Sequence, residues 1–330
     1  MDLPKLIVFD MDGVIVDVSG SYREAVRQTA RLFFKGIASE TDLPDPLFSL
    51  SDLAGVKQAG GLNNDWELTY HVLTLLMTQI KTPLERPHME GWTCLRELMA
   101  RCDAAALARC LKSSSTPLAD LHRQHPGLKN PWVERLSSGN VGTGNIIKQI
   151  FQELYLGGDL FRQTYGDAPR IHDREGLIDR EALLIPTATI KRLAETHRLA
   201  LATGRPRSEA EHALKRFGLQ THFKMTYTLD ECLAEEKNVY EKSGEVLHLS
   251  KPHPFMLDAI VKNCSEKLRG FYYVGDMPDD MMAAANATHA FKGVGILHSS
   301  PHKEYLKQRL VQAGADIIIE DVDELMTYLS

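Results

Sequence analysis

Three things are scarce in this sequence. Cysteine is one: the five residues Cys94, Cys102, Cys110, Cys232 and Cys264 are scattered and form no C-x-x-C pair. That excludes a disulfide framework and points to a reducing compartment, so the expected location is cytoplasmic. An excess of positive charge is also missing, since 38 Lys and Arg stand against 44 Asp and Glu for a net charge of −6. No broad basic face follows, and neither nucleic acid nor an anionic membrane surface is expected as a partner. Long apolar runs are the third absence: none approaches the roughly 18 residues of a membrane span. The N-terminus has no basic segment, long apolar stretch or small-residue cleavage site, so no signal peptide is expected. What is present is 43% hydrophobic and 25% charged over 330 residues. That is an ordinary globular composition, at a length suggesting two domains of roughly 150 residues.

The chain opens on a short apolar run, Leu6-Ile7-Val8-Phe9, ending in Asp10-Met11-Asp12-Gly13. A continuous apolar run of this length fits a strand covered on both faces, as in a parallel sheet. From Tyr22 to about residue 186 the pattern is mostly helical. Spacing predicts helices over 22–34, 66–80, 92–111 and 146–156, with a Ser/Pro/Gly-rich stretch over 113–145. After Pro186, helices alternate with apolar strands over 199–202, 223–227, 271–274, 291–296 and 317–319. Such alternation predicts βα units on one parallel sheet, to which Leu6–Phe9 belongs. The expected fold class is α/β: a doubly wound, Rossmann-like parallel-sheet core of residues 1–18 and 187–330. A large, mostly α-helical domain, 19–186, is inserted after the first strand. No internal repeat is present.

Residues with chemistry in them recur at the ends of these strands. Asp10 and Asp12 lie just past the first strand, at the edge where open α/β sheets bind ligands. Two carboxylates at i and i+2 suit a nucleophile or metal ligand beside a general acid/base. Thr203 and Gly204 offer a hydroxyl and a free amide, both donors suited to a phosphoryl oxygen. Lys251 stands just before a helix and can neutralise an anion. Asp276, Asp279 and Asp280 follow the next strand and make a hard-oxygen site suited to Mg²⁺. Each feature alone is an ordinary turn, helix cap or surface residue. The ordered set, each member at a strand end or helix start of one sheet, is what carries specificity.

That set resembles the haloacid dehalogenase-like superfamily of phosphotransferases and has a match to each of its four motifs. The insertion resembles the helical cap of the phosphoglycolate phosphatase and β-phosphoglucomutase branch. The resemblance implies a Mg²⁺-dependent phosphatase. Its substrate is a small phosphorylated metabolite, a sugar or organic-acid phosphate monoester, cleaved through an aspartyl phosphate. It also implies roles: Asp10 attacks phosphorus, and Asp12 protonates the leaving alkoxide and then activates water. Thr203 and the Gly204 amide hold phosphoryl oxygens, and Lys251 offsets negative charge. Asp276 binds Mg²⁺ with Asp10 and the backbone carbonyl of Asp12. Asp280 joins this metal set from outside, orienting Lys251 or a water on the metal. An aspartate at position 12 disfavours dehalogenation, because an alkoxide needs an acid and a halide does not. The alternatives are a phosphomutase using the same two aspartates and a phosphometabolite-binding protein without turnover.

A compact four-helix cap needs about 70 residues. The insertion is more than twice that, and the excess is expected between about 81 and 145. In the segment from Val56 to Trp66, Lys57, Asn63 and Asn64 are expected to face substrate beside Gly60 and Gly61. Capping of the next helix by Asn64 or Asp65 is the competing reading. Arg205 is expected at a substrate anion, with pairing to acidic residues as its alternative. Ser138–Asn145 lacks the lysine, the Ser/Thr and the preceding strand of a P-loop, and reads as a connector. The small phosphorylated metabolite is the expected partner, and a second copy of the chain, a homodimer, is left open.

Overall fold

The computed structural model describes residues 3–58, 64–83 and 91–329. The chain divides into two compact units, Met1–Asp17 with Ala182–Ser330, and Val18–Glu181. In the first unit the strands in chain order are β1 (Leu6–Phe9), β2 (Val16–Asp17), β3 (Ala182–Leu183), β4 (Arg198–Ala202), β5 (Phe223–Tyr227), β6 (Phe271–Gly275), β7 (Phe291–Ile296) and β8 (Ile317–Ile319). The borders fall one and five residues earlier than expected, because β2 and β3 pair as an antiparallel ribbon that stays with this unit.

The other six strands form one sheet in the order β5-β4-β1-β6-β7-β8, and every neighbouring pair is parallel. All four residues of β1 are buried, which is why their sequence is continuously apolar rather than alternating. The chain winds from β1 to β4 and β5 on one side and to β6, β7 and β8 on the other. The winding therefore reverses at β1, and the carboxyl ends of β1, β4 and β6 border the crevice that doubly wound sheets use for ligands.

The second unit is helical: α1 (Tyr22–Phe33), α2 (Leu50–Gln58), α3 (Asp65–Met77), α4 (Gly91–Ala100), α5 (Ala105–Lys112), α6 (Pro117–Gln124), α7 (Pro131–Leu136) and α8 (Ile146–Tyr165). Helix α1 buries Tyr22, Ala25, Val26, Thr29, Ala30 and Phe33, a stripe of helical period. Tyr22 stacks on Tyr155 of α8 with ring centroids 4.1 Å apart. The helix expected over 92–111 is two, because the Asp103 carboxylate accepts the Ala105 N–H at 2.8 Å and starts α5 afresh. The stretch over 113–145 holds two helices, α6 and α7, each with proline in its first turn. Proline there starts a helix rather than breaking one, since its missing N–H has no partner to lose. Helix α8 runs nine residues beyond its expected end, past a kink at Gly157 (φ 72°). A Cβ at Gly157 would lie 2.3 Å from the Gly176 amide nitrogen.

The first unit also carries α9 (Thr187–Thr196), α10 (Arg207–Arg216), α11 (Leu229–Ser243), α12 (Phe255–Asn263), α13 (Pro278–Asn286), α14 (Lys303–Gln312) and α15 (Leu325–Leu329). Among the described residues no helix is long and apolar enough to cross a membrane.

Candidate active site

The carboxyl ends of β1, β4 and β6 bring the motif residues of the first unit together. Asp10 follows β1 directly, and its N–H donates to the Val274 carbonyl of β6 at 2.9 Å. The Lys251 Nζ lies 2.9 Å from Asp10 Oδ2 and 2.7 Å from Asp280 Oδ1. One ammonium thus bridges two buried carboxylates. Asp280 is engaged on both oxygens. The Tyr273 hydroxyl donates to Oδ1 at 2.9 Å and the Met277 N–H to Oδ2 at 3.0 Å. Asp280 is expected to orient Lys251 or a water on the metal, and the contact present is the one to Lys251.

Asp276 is buried beside Asp10, and carboxylate oxygens of Asp10, Asp276 and Asp280 all lie within 4.8 Å of one another. Backbone without side chains makes room for them. A Cβ on Gly13 (φ +74°) would sit 2.0 Å from Asp276 Oδ2, and one on Gly275 would sit 2.3 Å from the Asp280 Cβ. Thr203 is buried, its N–H donating to the Tyr227 carbonyl at 3.0 Å and its Oγ1 accepting from the Arg205 N–H at 3.2 Å. With the oxygen taken by that acceptor bond, the hydroxyl proton is free to point elsewhere. Gly204 is exposed at the strand end with open space around its Cα.

The electrostatics follow from this crowding. Burial pushes the Asp10 carboxyl up to about 8; Lys251 opposes the rise, while Asp280, Asp12 and Asp276 add to it. For Lys251, burial disfavours the charged form, but Asp10, Asp280 and Tyr273 outweigh it and hold the ammonium well above its usual value. Asp279 is raised by burial and then by Asp280. Asp10, Asp12, Asp276, Asp279 and Asp280 crowd around Lys251 and Arg205, so acidic groups are in excess over basic ones. Hard carboxylate oxygens with that excess fit a divalent cation of the Mg²⁺ type.

Several expected substrate contacts are placed differently. Arg205 is buried and its Nε donates to Asp12 Oδ1 at 2.5 Å, so it meets an acidic neighbour rather than an open anion site. Lys57 is buried in the helical unit, with Nζ 3.0 and 3.1 Å from the two Asp65 oxygens. That ion pair is the alternative to the substrate contact expected of Lys57. Asn64 caps α3, its Oδ1 accepting from the Trp66 and Glu67 N–H groups at 2.9 and 3.4 Å. Gly60, Gly61 and Asn63 lie outside the described residues.

Three residues at the site carried no expectation. Tyr273 holds Asp280, the Ser299 hydroxyl donates to Asp276 Oδ2 at 3.3 Å, and His298 Nε2 bonds the Gly13 carbonyl at 3.0 Å. His298 and Ser299 follow β7, so the rule that strand carboxyl ends face the crevice could have flagged them.

This chain belongs to the haloacid dehalogenase-like hydrolases, whose family profile matches residues 4–288. Two solved structures are similar over nearly its whole length. One is a Northeast Structural Genomics Consortium target, ZR25, with 19% identity, coverage of 99% of this chain and 98% of that one, and a TM-score of 0.62. The other is phosphatase Tt82 from Thermococcus thioreducens, with 19% identity, coverage of 93% and 99%, and a TM-score of 0.51. At these identities the likeness shows the fold. A curated relative, imidazoleglycerol-phosphate dehydratase of Phytophthora nicotianae, is 33% identical over 126 residues, 37% of this chain and 25% of that protein. The chain thus matches about a quarter of that relative's length.

Proposed function

We propose that this chain is a Mg²⁺-dependent phosphatase of small phosphorylated metabolites, sugar or organic-acid phosphate monoesters, working through an aspartyl phosphate. The observation that carries this reading is Lys251 bridging Asp10 and Asp280 at 2.9 and 2.7 Å, with Asp12 two residues from Asp10. Asp10, Asp276 and the backbone carbonyl of Asp12 would hold Mg²⁺, which supplies charge neutralisation for a dianionic ester and an anionic nucleophile. The chain's own residues do the rest. In the first step an Asp10 oxygen bonds to phosphorus while the P–O bond to the leaving group breaks. Asp12 gives its proton to the departing oxygen. In the second step a water oxygen bonds to phosphorus, its proton passes to Asp12, and the bond between Asp10 and phosphorus breaks to release inorganic phosphate. The Thr203 hydroxyl and Gly204 amide donate to the phosphoryl oxygens as charge builds there. All five cysteines are free thiols, which suits the cytoplasm as the working compartment.

The test is phosphate release by the purified chain from a panel of small monoesters, with Mg²⁺ and with chelator, beside Asp10→Asn. The name of the Phytophthora relative speaks of an imidazoleglycerol phosphate, so a polyol phosphate carrying an imidazole belongs in the panel with sugar and organic-acid phosphates. Mg²⁺-dependent release that Asp10→Asn abolishes is expected. Conversion of a sugar phosphate to its isomer without release would replace this reading with the mutase. Release that survives in Asp10→Asn would remove the aspartyl phosphate.

A further inference from the structure

We propose that Arg205 is a positioning residue for the reaction above. It holds Asp12 by one oxygen and so confines the transferable proton to the other. The inference rests on the phosphatase reading and adds to it a residue outside the four motif positions.

Arg205 is among the largest fully buried side chains of the molecule. Its side chain is 0% exposed, whereas that of Asp12 is 25% exposed. Arg205 stands in the turn after β4 and Asp12 in the loop after β1, and these strands are neighbours in the sheet. Its main chain is fixed on both sides. Its N–H donates to Thr203 Oγ1 at 3.2 Å and its carbonyl accepts from the Leu229 N–H at 3.0 Å. From that fixed base the Nε reaches Asp12 Oδ1 at 2.5 Å.

The chemistry of the pair is asymmetric. A guanidinium donates hydrogen bonds and cannot accept them. Oδ1 therefore stays an acceptor whether Asp12 is a carboxylate or a carboxylic acid, and a proton on Asp12 belongs on Oδ2. No hydrogen bond from the described residues engages that oxygen. A carboxylate gripped on both oxygens would be held in its charged form and exchange a proton less readily, while an ungripped one would turn about its Cβ–Cγ bond. The single Nε contact, held by a buried side chain, leaves one oxygen fixed and one working. Lysine in this place would be a point charge on a flexible stem without that directed N–H.

The test compares wild type, Arg205→Gln, Arg205→Lys, Asp12→Asn and the double variant Asp12→Asn/Arg205→Gln, all with Mg²⁺, on p-nitrophenyl phosphate and β-glycerophosphate. Nitrophenolate leaves without a proton, but hydrolysis of the aspartyl phosphate still needs Asp12 as base. In Arg205→Gln, kcat on β-glycerophosphate should fall about 100-fold, with KM nearly unchanged. Rapid quench with p-nitrophenyl phosphate should show a burst of about one nitrophenolate per site, then slow turnover. Arg205→Lys should recover part of kcat and, if Arg205→Gln does not fold, carries the same comparison. Adding Arg205→Gln to Asp12→Asn should change the rate less than about twofold, because groups that act as a unit are not additive. Unchanged kcat, equal losses in the first step for both esters, or multiplied losses in the double variant would overturn the role. Wild type that releases no phosphate from any ester sinks the phosphatase reading and this inference together.

Discussion

The two units bury the same kinds of charged side chain to opposite ends. In the helical unit each buried carboxylate among the described residues is matched by donors. Asp52 accepts the Leu118 and Ala119 N–H groups at 2.8 and 3.1 Å and so caps α6 from another helix. Glu153 gathers the N–H groups of Arg170, Ile171 and His172 at 2.9, 2.6 and 3.2 Å. Glu181 takes the Ser21 and Tyr155 hydroxyls at 2.9 and 3.0 Å, and Asp65 takes Lys57. In the α/β unit Asp10, Asp276 and Asp280 converge instead, and the carboxyl of Asp10 is driven up by burial and its like-charged neighbours. Burial of charge is therefore not the mark of a site. Charges left in mutual conflict at strand ends are, since a fold keeps such conflict only where something else resolves it.

That contrast can be broken by mutation, and the largest effect belongs to the crowded side. Asp10→Asn should cost at least about 1,000-fold in phosphate release while the melting temperature holds, because the amide removes one of the competing charges. A variant that unfolds, yet keeps its turnover per folded molecule, would erase the distinction. On the matched side the sign reverses. Lys57→Met strands Asp65 without its partner and should destabilise by about 3–5 kcal/mol in denaturant titration. Adding Asp65→Leu should recover most of that, and no recovery would mean the pair matters for more than its own charge balance. Asp52→Ala should cost about 1–2 kcal/mol, as for a lost helix cap, with kcat unchanged.

The smallest effect is a pH dependence in the helical unit. His71 Nε2 and His122 Nδ1 are 2.9 Å apart between α3 and α6, and burial, then His122, lowers the His71 pKa below its ordinary 6.5. A lowered histidine pKa means the unfolded chain takes up its proton first. The stability from this pair is complete above about pH 6.5 and is lost as pH falls through the folded value. Melting temperatures from pH 7.5 to 5 should drop in wild type and drop less in His71→Gln. Parallel curves would assign the pH dependence elsewhere.

The centre of the sheet was legible because β1, β4 and β6 are short, almost wholly buried runs, so their apolar residues are contiguous and the chemistry begins just past them, as at Phe9-Asp10 and Val274-Gly275-Asp276. The helical unit was less so. Pro117 and Pro131 carry opposite meanings at a helix start and within one, and only the chain's path decides between them. Lys57 and Asn64 resembled substrate contacts because a lysine and an amide near glycines have the same composition in a binding loop as in a cap with an ion pair. The Ser299 contact to Asp276 left only the general signal of a residue just past a strand end.

By itself, then, the sequence determined the alternation of strands and helices and the order in which aspartate, threonine, lysine and aspartate meet the sheet edge, because burial and the turn that follows a strand are local demands on neighbouring residues. Only the tertiary structure decided which charge each of those residues holds. Asp12 and Arg205 are 193 positions apart, and they meet because β4 lies beside β1 in the sheet. Strand order is settled by how layers pack, and an ion pair that depends on it leaves no trace in either residue's own neighbourhood.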